Sequence, residues 1–411
     1  MSANQADGTV HVALVGCGQI ADAHLTQLRY VPGVRVVAVC DRHPELAEQA
    51  AMRFGVPHWF CDLEAMLAGP RIDAVHVTTP AQSHGSLAMR LLDAGVHVYV
   101  EKPFTVDAAE AERVLQAAER AGRLVCVGHD QSWDPIWRQA LRCARDGELG
   151  RVRHVESLLG YPLDGPFGRL VAADPEHWAR RLPGGLFHNT ISHPLYRITD
   201  LMPDEHPGVL AEWFSLHEYG FATELRVLLR GRDMSGALTF TSAIRPHARI
   251  TRIYGSRASL EVDLDAQVIR RYRTPRSPGA FAKLEIPARQ LREAAVNLWT
   301  NLRRFLRCDI HYFAGMRALF TEFHAAVRNG GPPPIAYAEI LRVTRLMDRI
   351  FAECEAHATG APVRNGPEPA PDDSDARDTL RRVADRQAAA DPAERITETG
   401  QADGRLEEVR Q

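Results

Sequence analysis

The residues best suited to chemistry stand where apolar runs end. Lys102 lies in Glu101-Lys102-Pro103, directly after residues 96–100 (VHVYV). A lysine there can hydrogen-bond a substrate hydroxyl and stabilise the alkoxide that develops as hydride leaves. Partial burial would lower its pKa and let it move a proton. The plainer reading is a surface lysine in a loop. A second group suits an anion. Residues 10–15 (VHVALV) run into Gly16, Cys17, Gly18, Gln19, Ile20 and Ala21, and helical spacing follows. Gly16 permits a tight turn, Gly18 lets backbone approach a pyrophosphate, and Ala21 lets the helix pack against the strand. The helix N-terminus adds free N–H groups and partial positive charge. Asp41 ends the next apolar run, 34–40. Its carboxylate suits ribose hydroxyls and repels a 2′-phosphate, which favours NAD(H), while Arg42 leaves NADP(H) open. The lesser reading, compatible with that role, is a cap for a helix over 43–54.

The elements that must position these groups alternate. Strands are expected at 10–15, 34–40, 72–78, 96–100 and 124–127. Helices are expected at 20–31, 43–54, 61–67, 83–94 and 107–121, with Gly95 as the αL residue closing the fourth. Such alternation makes an α/β fold: an N-terminal doubly wound parallel sheet of the Rossmann kind, with ligands at the carboxyl ends of its strands. Thr78-Thr79-Pro80, Glu101-Lys102 and Gly128-His129-Asp130 stand at those ends. Past residue 148 strands follow one another, at 151–160, 209–217, 223–230, 235–244, 249–254 and 258–263. They imply a C-terminal α+β domain with a mostly antiparallel open sheet. Helices are expected at 186–201, 288–306, 312–328 and 336–356. The basic, Trp-bearing helix 288–306 is read as packing on its own domain or a second subunit rather than on a membrane. The expected division is 9–130, 131–357 and a tail, 360–411, too poor in large apolar residues to offset chain entropy.

Composition narrows the function. The 411 residues are 45% hydrophobic and 25% charged, with a net charge of -3. That balance gives no general attraction to nucleic acid or anionic membrane. No apolar run reaches the roughly 18 residues of a membrane span, and the N-terminus lacks a signal-peptide pattern. Seven scattered cysteines without a C-x-x-C pair read as reduced thiols of a cytoplasmic protein. No spacing among the 18 histidines argues for a metal, and none is expected.

Six motifs together resemble the Gfo/Idh/MocA oxidoreductase family over residues 9–357. They are GCGQIA at 16–21, Asp41, TTP-AQSH at 78–84, DAGVHVYVEKP at 93–103, GG-LFHNTISH at 184–193 and RIYGSRASLEVD at 252–263. The resemblance implies an NAD(P)-dependent oxidoreductase that moves hydride between nicotinamide and a hydroxyl carbon of a sugar, inositol or nucleotide-sugar. It implies cofactor contacts from Gly16, Gly18, Gln19, Ile20, Asp41, Arg42, Thr78, Thr79, Pro80, His84, Glu101 and Lys102. Lys102 would touch both nicotinamide ribose and substrate, with the Lys102–Pro103 bond cis. The open C-terminal sheet would build a homo-oligomer, a dimer or tetramer.

The family's D-x-G-x-H pattern places its general base at His193, and an imidazole of ordinary pKa ~6.5 can accept a hydroxyl proton. Here the pattern's aspartate is Asn189 and its glycine is Ile191. An amide takes up no proton but can hold a substrate hydroxyl. Asn189 and His193 would share one helix face. His188, His129, Asp130, Tyr161, Trp178 and Arg180 are further substrate-binding candidates, Arg180 suiting a phosphate or carboxylate. Two alternatives stay open: a non-catalytic NAD-binding regulatory or partner protein, which Asn189 motivates, and an NAD-dependent glycosidase, a branch of the same family.

Overall fold

The computed structural model describes residues 8–216, 219–307 and 313–359. The β-branched run Val10–Val15 forms β1, and its side chains are almost wholly buried because helices cover both faces of the sheet. The chain continues through α1 (Gln19–Leu28), β2 (Val34–Cys40), α2 (Pro44–Phe54), β3 (His58–Phe60) and α3 (Leu63–Leu67). Then come β4 (Ala74–Val77), α4 (His84–Asp93), β5 (His97–Val100), α5 (Ala108–Ala121) and β6 (Val125–Val127). Local chemistry sets the ends: Pro44 opens α2, Asp107 caps α5 by accepting from Glu110 N–H, and Gly95 follows α4 at φ +77°. The six strands are all parallel, in the order β3-β2-β1-β4-β5-β6. This is the expected doubly wound sheet, and its order reverses between β1 and β4.

After α6 (Pro135–Arg145), the second sheet forms from β7 (Val152–Gly160) and six later strands. Between them lie α7 (Pro166–Ala173), α8 (Gly185–Thr190) and α9 (Ser192–Thr199). The strands are β8 (Gly208–Phe214), β9 (Glu224–Arg230), β10 (Ser235–Thr241), β11 (Ala248–Gly255), β12 (Ala258–Asp263) and β13 (Val268–Arg273). Their order is β13-β12-β11-β7-β10-β9-β8, and every pair except β7–β10 is antiparallel. Three helices close the fold: α10 (Phe281–Leu306), α11 (Ala314–Asn329) and α12 (Tyr337–Thr359). Met316, Leu319, Phe320 and Phe323 of α11 join the core of the first sheet. Farther along, α12 puts Ile340 into that core and Val343, Leu346 and Ile350 into the core of the second sheet. One rigid helix thus stitches the two cores together.

The single helix expected over 186–201 is two, α8 and α9, broken at Ile191. Pro194 has no N–H to offer the Thr190 carbonyl, so an unbroken ladder cannot form there. The helix expected from 288 starts at Phe281 and runs through Pro287. Its packing is inverted. Asn297 and Asn301 turn inward and donate to the carbonyls of Ile269 and Ala266, both at 2.9 Å. Leu284, Leu291, Leu298, Leu302 and Phe305 form an outward stripe, and no residue of α10 is buried. No helix among the described residues is long and apolar enough to cross a membrane. The tail expected from 360 lies outside the described residues.

Candidate active site

The cradle is built where β1 and β4 end side by side. Gly16 has φ +100°, and a Cβ on it would lie 2.7 Å from the Thr79 nitrogen and 2.8 Å from the Thr78 carbonyl carbon. Thr78 Oγ1 donates to the Gly16 carbonyl at 2.6 Å. The Cys17 N–H donates to Asp41 Oδ2 at 2.7 Å, and the His43 N–H donates to Oδ1 at 2.9 Å. Asp41 is therefore fixed beside the turn, and its carboxylate keeps lone pairs for further donors. Gly18 is the N-cap of α1, and no side chain satisfies that helix end. Nothing lies within 4 Å of where a Gly18 Cβ would stand. An uncapped helix N-terminus under open space fits a pyrophosphate, and Asp41 fits the ribose hydroxyls of NAD. His84 bridges the carbonyls of Pro103 and Thr79, both at 2.8 Å, and so ties the two strand ends together. Arg42 is exposed and donates to His43 Nε2 at 3.2 Å.

A cleft of about 780 Å³ opens from this cradle, and Gln19, Ile20, Thr79, Lys102, Asn189 and His193 all line it. The Lys102–Pro103 peptide is cis. Lys102 Nζ donates to the Asn189 carbonyl at 3.0 Å and to Asn189 Oδ1 at 3.3 Å. Burial pulls the Lys102 ammonium below its ordinary pKa, against the attraction of Glu101 and Asp130. His193 is pulled well below the usual imidazole value, first by burial and then by the Lys102 charge. Its Nδ1 lies 2.7 Å from the Tyr196 hydroxyl and 3.7 Å from Asp130 Oδ1. With its proton on Nδ1, donated to the Tyr196 hydroxyl, the ring keeps Nε2 as its acceptor. Burial pushes the Asp130 carboxyl up to about 7, and the Glu101 charge adds to the push. Asp130 Oδ1 is buried without a hydrogen-bond partner.

The candidates separate by position. Tyr161 and Trp178 line the cleft beside Phe167 and His177, an aromatic wall opposite the cradle. Asp130 stands behind His193. His129, pushed down to about 3 by burial, packs its ring on Tyr196 at 4.6 Å. Two other candidates do not reach the cleft. His188 stacks on Phe351 at 5.1 Å, with Nε2 3.5 Å from the Thr105 carbonyl. On α8 it stands one residue before Asn189, about 100° around the helix, and so faces the core while Asn189 faces the cleft. Arg180 lays its guanidinium over Phe221, 4.6 Å from the ring centre. The arginine in the cleft is instead Arg249, paired with Asp265 through Nε at 2.7 Å. Sequence reasoning missed Arg249, His247 and Gln131. A signal existed for the first: Arg249 alternates with inward-facing Thr251 and Ile253 on β11, where an arginine is out of place. A signal for Lys102 was missed too. The chain holds 49 Lys and Arg residues, and only Lys102 and Lys283 are lysines. A chain that uses arginine nearly everywhere keeps at 102 the cation that can lose its proton. Among the described residues no group of His, Cys, Asp or Glu forms a metal site.

Two family models match consecutive parts of this chain. Residues 10–129 match the oxidoreductase family with NAD-binding Rossmann fold, and residues 137–261 match the GFO/IDH/MocA C-terminal domain. The chain belongs to the Gfo/Idh/MocA oxidoreductase family. Among similar proteins, D-apiose dehydrogenase of Paraburkholderia graminis is 36% identical over 138 residues, which is 34% of this chain and 37% of that one. The scyllo-inositol 2-dehydrogenase (NAD(+)) of Bacillus subtilis is 32% identical over 185 residues, 45% of this chain and 51% of that one. The matched stretches thus span between about a third and a half of those relatives. The crystal structure of the WlbA dehydrogenase from Bordetella pertussis, in complex with NADH and UDP-GlcNAcA, shares the fold. Its TM-score is 0.70 at 21% identity, covering 85% of this chain and 96% of that one.

Proposed function

We propose that this protein is an NAD-dependent oxidoreductase that converts between a secondary hydroxyl and a carbonyl on a sugar, inositol or nucleotide-sugar. The observation that carries the reading is the convergence of Lys102 and His193 on one cleft that opens from the Asp41 cradle. When bound, NAD supplies the hydride acceptor or donor. The α1 N-terminus and Gly18 hold its pyrophosphate, and Asp41 holds its adenosine ribose. Arg42 points elsewhere, so the cradle favours NAD over NADP. Lys102 donates a hydrogen bond to the carbinol oxygen, which stabilises negative charge on that oxygen. His193 Nε2 takes the hydroxyl proton, while the Tyr196 hydroxyl holds the opposite ring nitrogen and the Asp130 carboxyl stands 3.7 Å from it. The aromatic wall of Tyr161, Phe167 and Trp178 covers the apolar C–H face of a sugar ring and excludes water. The relatives named above act on apiose and on an inositol, and the structural neighbour holds a nucleotide-sugar, which supports this substrate range.

Asn189 gives a second reading its footing, a non-catalytic NAD-binding protein on the same scaffold. The geometry gives the amide work of its own. It accepts from Lys102 without adding negative charge, whereas a carboxylate there would hold the lysine protonated. Asn189→Asp separates the two readings. A fall in NADH formation supports an enzyme adapted to the amide, and turnover gained from zero supports lost catalysis. The free thiols Cys17, Cys40 and Cys126 support a reducing, cytoplasmic setting. Exposed Leu210 and Leu228, opposite each other on β8 and β9, and the α10 stripe support a homo-oligomer through the second sheet.

A further inference from the structure

Beneath the cleft a row of buried imidazoles runs inward from Glu101. His24 Nε2 lies 2.8 Å from Glu101 Oε1, and His24 Nδ1 lies 3.0 Å from His76 Nδ1. His76 Nε2 lies 3.3 Å from His324 Nε2, and His324 Nδ1 lies 2.8 Å from the Phe320 carbonyl. All three rings are 0% exposed, and Glu101 is 6% exposed. They come from α1, β4 and α11, and the His76–His324 link alone spans 248 positions in sequence. Tyr99 stacks on His76 at 4.6 Å, and Phe320 meets its edge at 4.7 Å.

Donor and acceptor rules fix the proton count of this row. It has four links: Glu101–His24, His24–His76, His76–His324 and His324–Phe320. Each link needs one proton. A carbonyl only accepts, so His324 Nδ1 must carry a proton. If His324 is neutral, its Nε2 accepts and His76 must donate from Nε2. If His76 is neutral, its Nδ1 accepts and His24 must donate from Nδ1. At the other end His24 Nε2 meets a carboxylate. Three neutral imidazoles bring three protons to four links. With only three, one link stays empty and two lone pairs, nitrogen against carboxylate oxygen or nitrogen against nitrogen, face each other in a dry interior, where unpaired polar groups are costly.

We propose that Glu101, His24, His76 and His324 form one closed proton chain holding a single proton beyond three neutral imidazoles. That proton keeps the Glu101–His24 pair uncharged overall and so positions and tunes Lys102. Burial pulls His76 well below the usual imidazole value and His324 to about 4, which drives the extra proton toward His24 and Glu101. Burial works to raise the Glu101 carboxyl, but the His24 hydrogen bond and charge hold it below the ordinary value. Glu101 Oε2 accepts from the Lys102 N–H at 3.1 Å, so the chain anchors the lysine's own backbone. The other titratable groups facing the row are Lys102, Asp130, His84 and His129 around Glu101, Tyr99 on His76 with Cys126 beside it, and His97 and Arg328 near His324. The proton count stands on the geometry alone. The effect on Lys102 rests on the catalytic reading above, but neither measurement below requires turnover.

The first measurement is ¹⁵N NMR of histidine-labelled full-length protein, with the three rings assigned by single substitutions. The expected pattern is His324 protonated on Nδ1 only, His76 on Nε2 only, and His24 on both nitrogens, or on Nδ1 alone with Glu101 protonated. Three protons in all, with His24 neutral and protonated on Nε2, overturn the proposal. So does an extra proton lodged on His76 or His324. The second measurement is the Lys102 titration by NMR of protein carrying ¹³C at lysine Cε. Only Lys102 and exposed Lys283 give signals, and Lys283→Arg assigns them. His324→Phe removes two links and with them the need for the extra proton. Glu101 then faces Lys102 as a bare carboxylate, and the lysine midpoint rises by on the order of one pH unit. His324→Gln keeps an acceptor for His76 and a donor for the Phe320 carbonyl, and leaves the midpoint in place. Equal midpoints in the two variants overturn the tuning role. If a variant fails to fold, the wild-type proton count still decides.

Discussion

Burial sets the proton chemistry of the cleft, one side chain at a time. His193 is neutral at neutral pH and therefore ready as a base, while Lys102 loses its proton more easily than an ordinary lysine. Oxidation of the carbinol should rise as pH climbs through a His193 value below 6.5. It should fall as pH climbs through a Lys102 value below 10.5. Asp130 adds a step between them. Its carboxyl titrates at about 7, and its ionised form, 3.7 Å from His193 Nδ1, makes that imidazole a stronger base. The kcat/KM profile should carry an inflection near 7 that Asp130→Asn removes. The same group affects stability with the opposite sign. Its folded value is raised above the unfolded 3.8, so the bound proton favours the fold. The resulting penalty appears above pH 4 and is complete above pH 7. Asp130→Asn should therefore raise Tm at pH 8, by at most roughly 4 kcal/mol of stability, and leave it unchanged at pH 4. Equal Tm gains at both pH values would rule out this origin.

The elements place these groups by turns that only certain residues allow. Gly16→Ala would drive a Cβ into backbone atoms of Thr78 and Thr79 at φ +100°, so both Tm and NAD affinity should fall. Gly18→Ala meets open space, so Tm should hold while NAD affinity falls at least ~10-fold, a loss of about 1.4 kcal/mol. Thermal melts with and without NAD distinguish the pair, and a matching loss of Tm in both variants would contradict the cradle. These features were legible in the sequence, because a glycine turn between an apolar run and a helix is a local pattern. So were the strand ends carrying Lys102 and Asp41. The break at Ile191 was also local, through Pro194, but helical spacing masked it. The short strand β3 and the charged strand β13 have little apolar periodicity, and α6 and α7 passed unread. The Arg249 position and the imidazole row are not local at all. The row draws single histidines from α1, β4 and α11, and no spacing along the chain announces their meeting.

At the scale of the whole molecule two cores are joined by α12, and the cleft is lined by the cradle on one side and by Tyr161, Phe167 and Trp178 from the segments after β7. The outward stripe of α10 sets Leu284, Leu291, Leu298, Leu302 and Phe305 in water, the kind of surface that subunit contacts cover. Replacing Leu291, Leu298 and Leu302 with glutamine should lower the mass seen by native mass spectrometry to that of one chain, with Tm above or near that of the isolated subunit. An unchanged mass would show that the stripe holds no copies together. The most direct test of the central claim follows NADH formation from NAD⁺ across a panel of sugars, inositols and nucleotide-sugars. The proteins compared are the wild type, Lys102→Arg and His193→Gln, with NAD binding measured in parallel. Wild-type protein should turn over at least one member of the panel. Both variants should bind NAD as tightly yet lose about 10²–10⁴ of the rate. Wild-type silence with NAD bound, or a variant that keeps its rate, would contradict the claim.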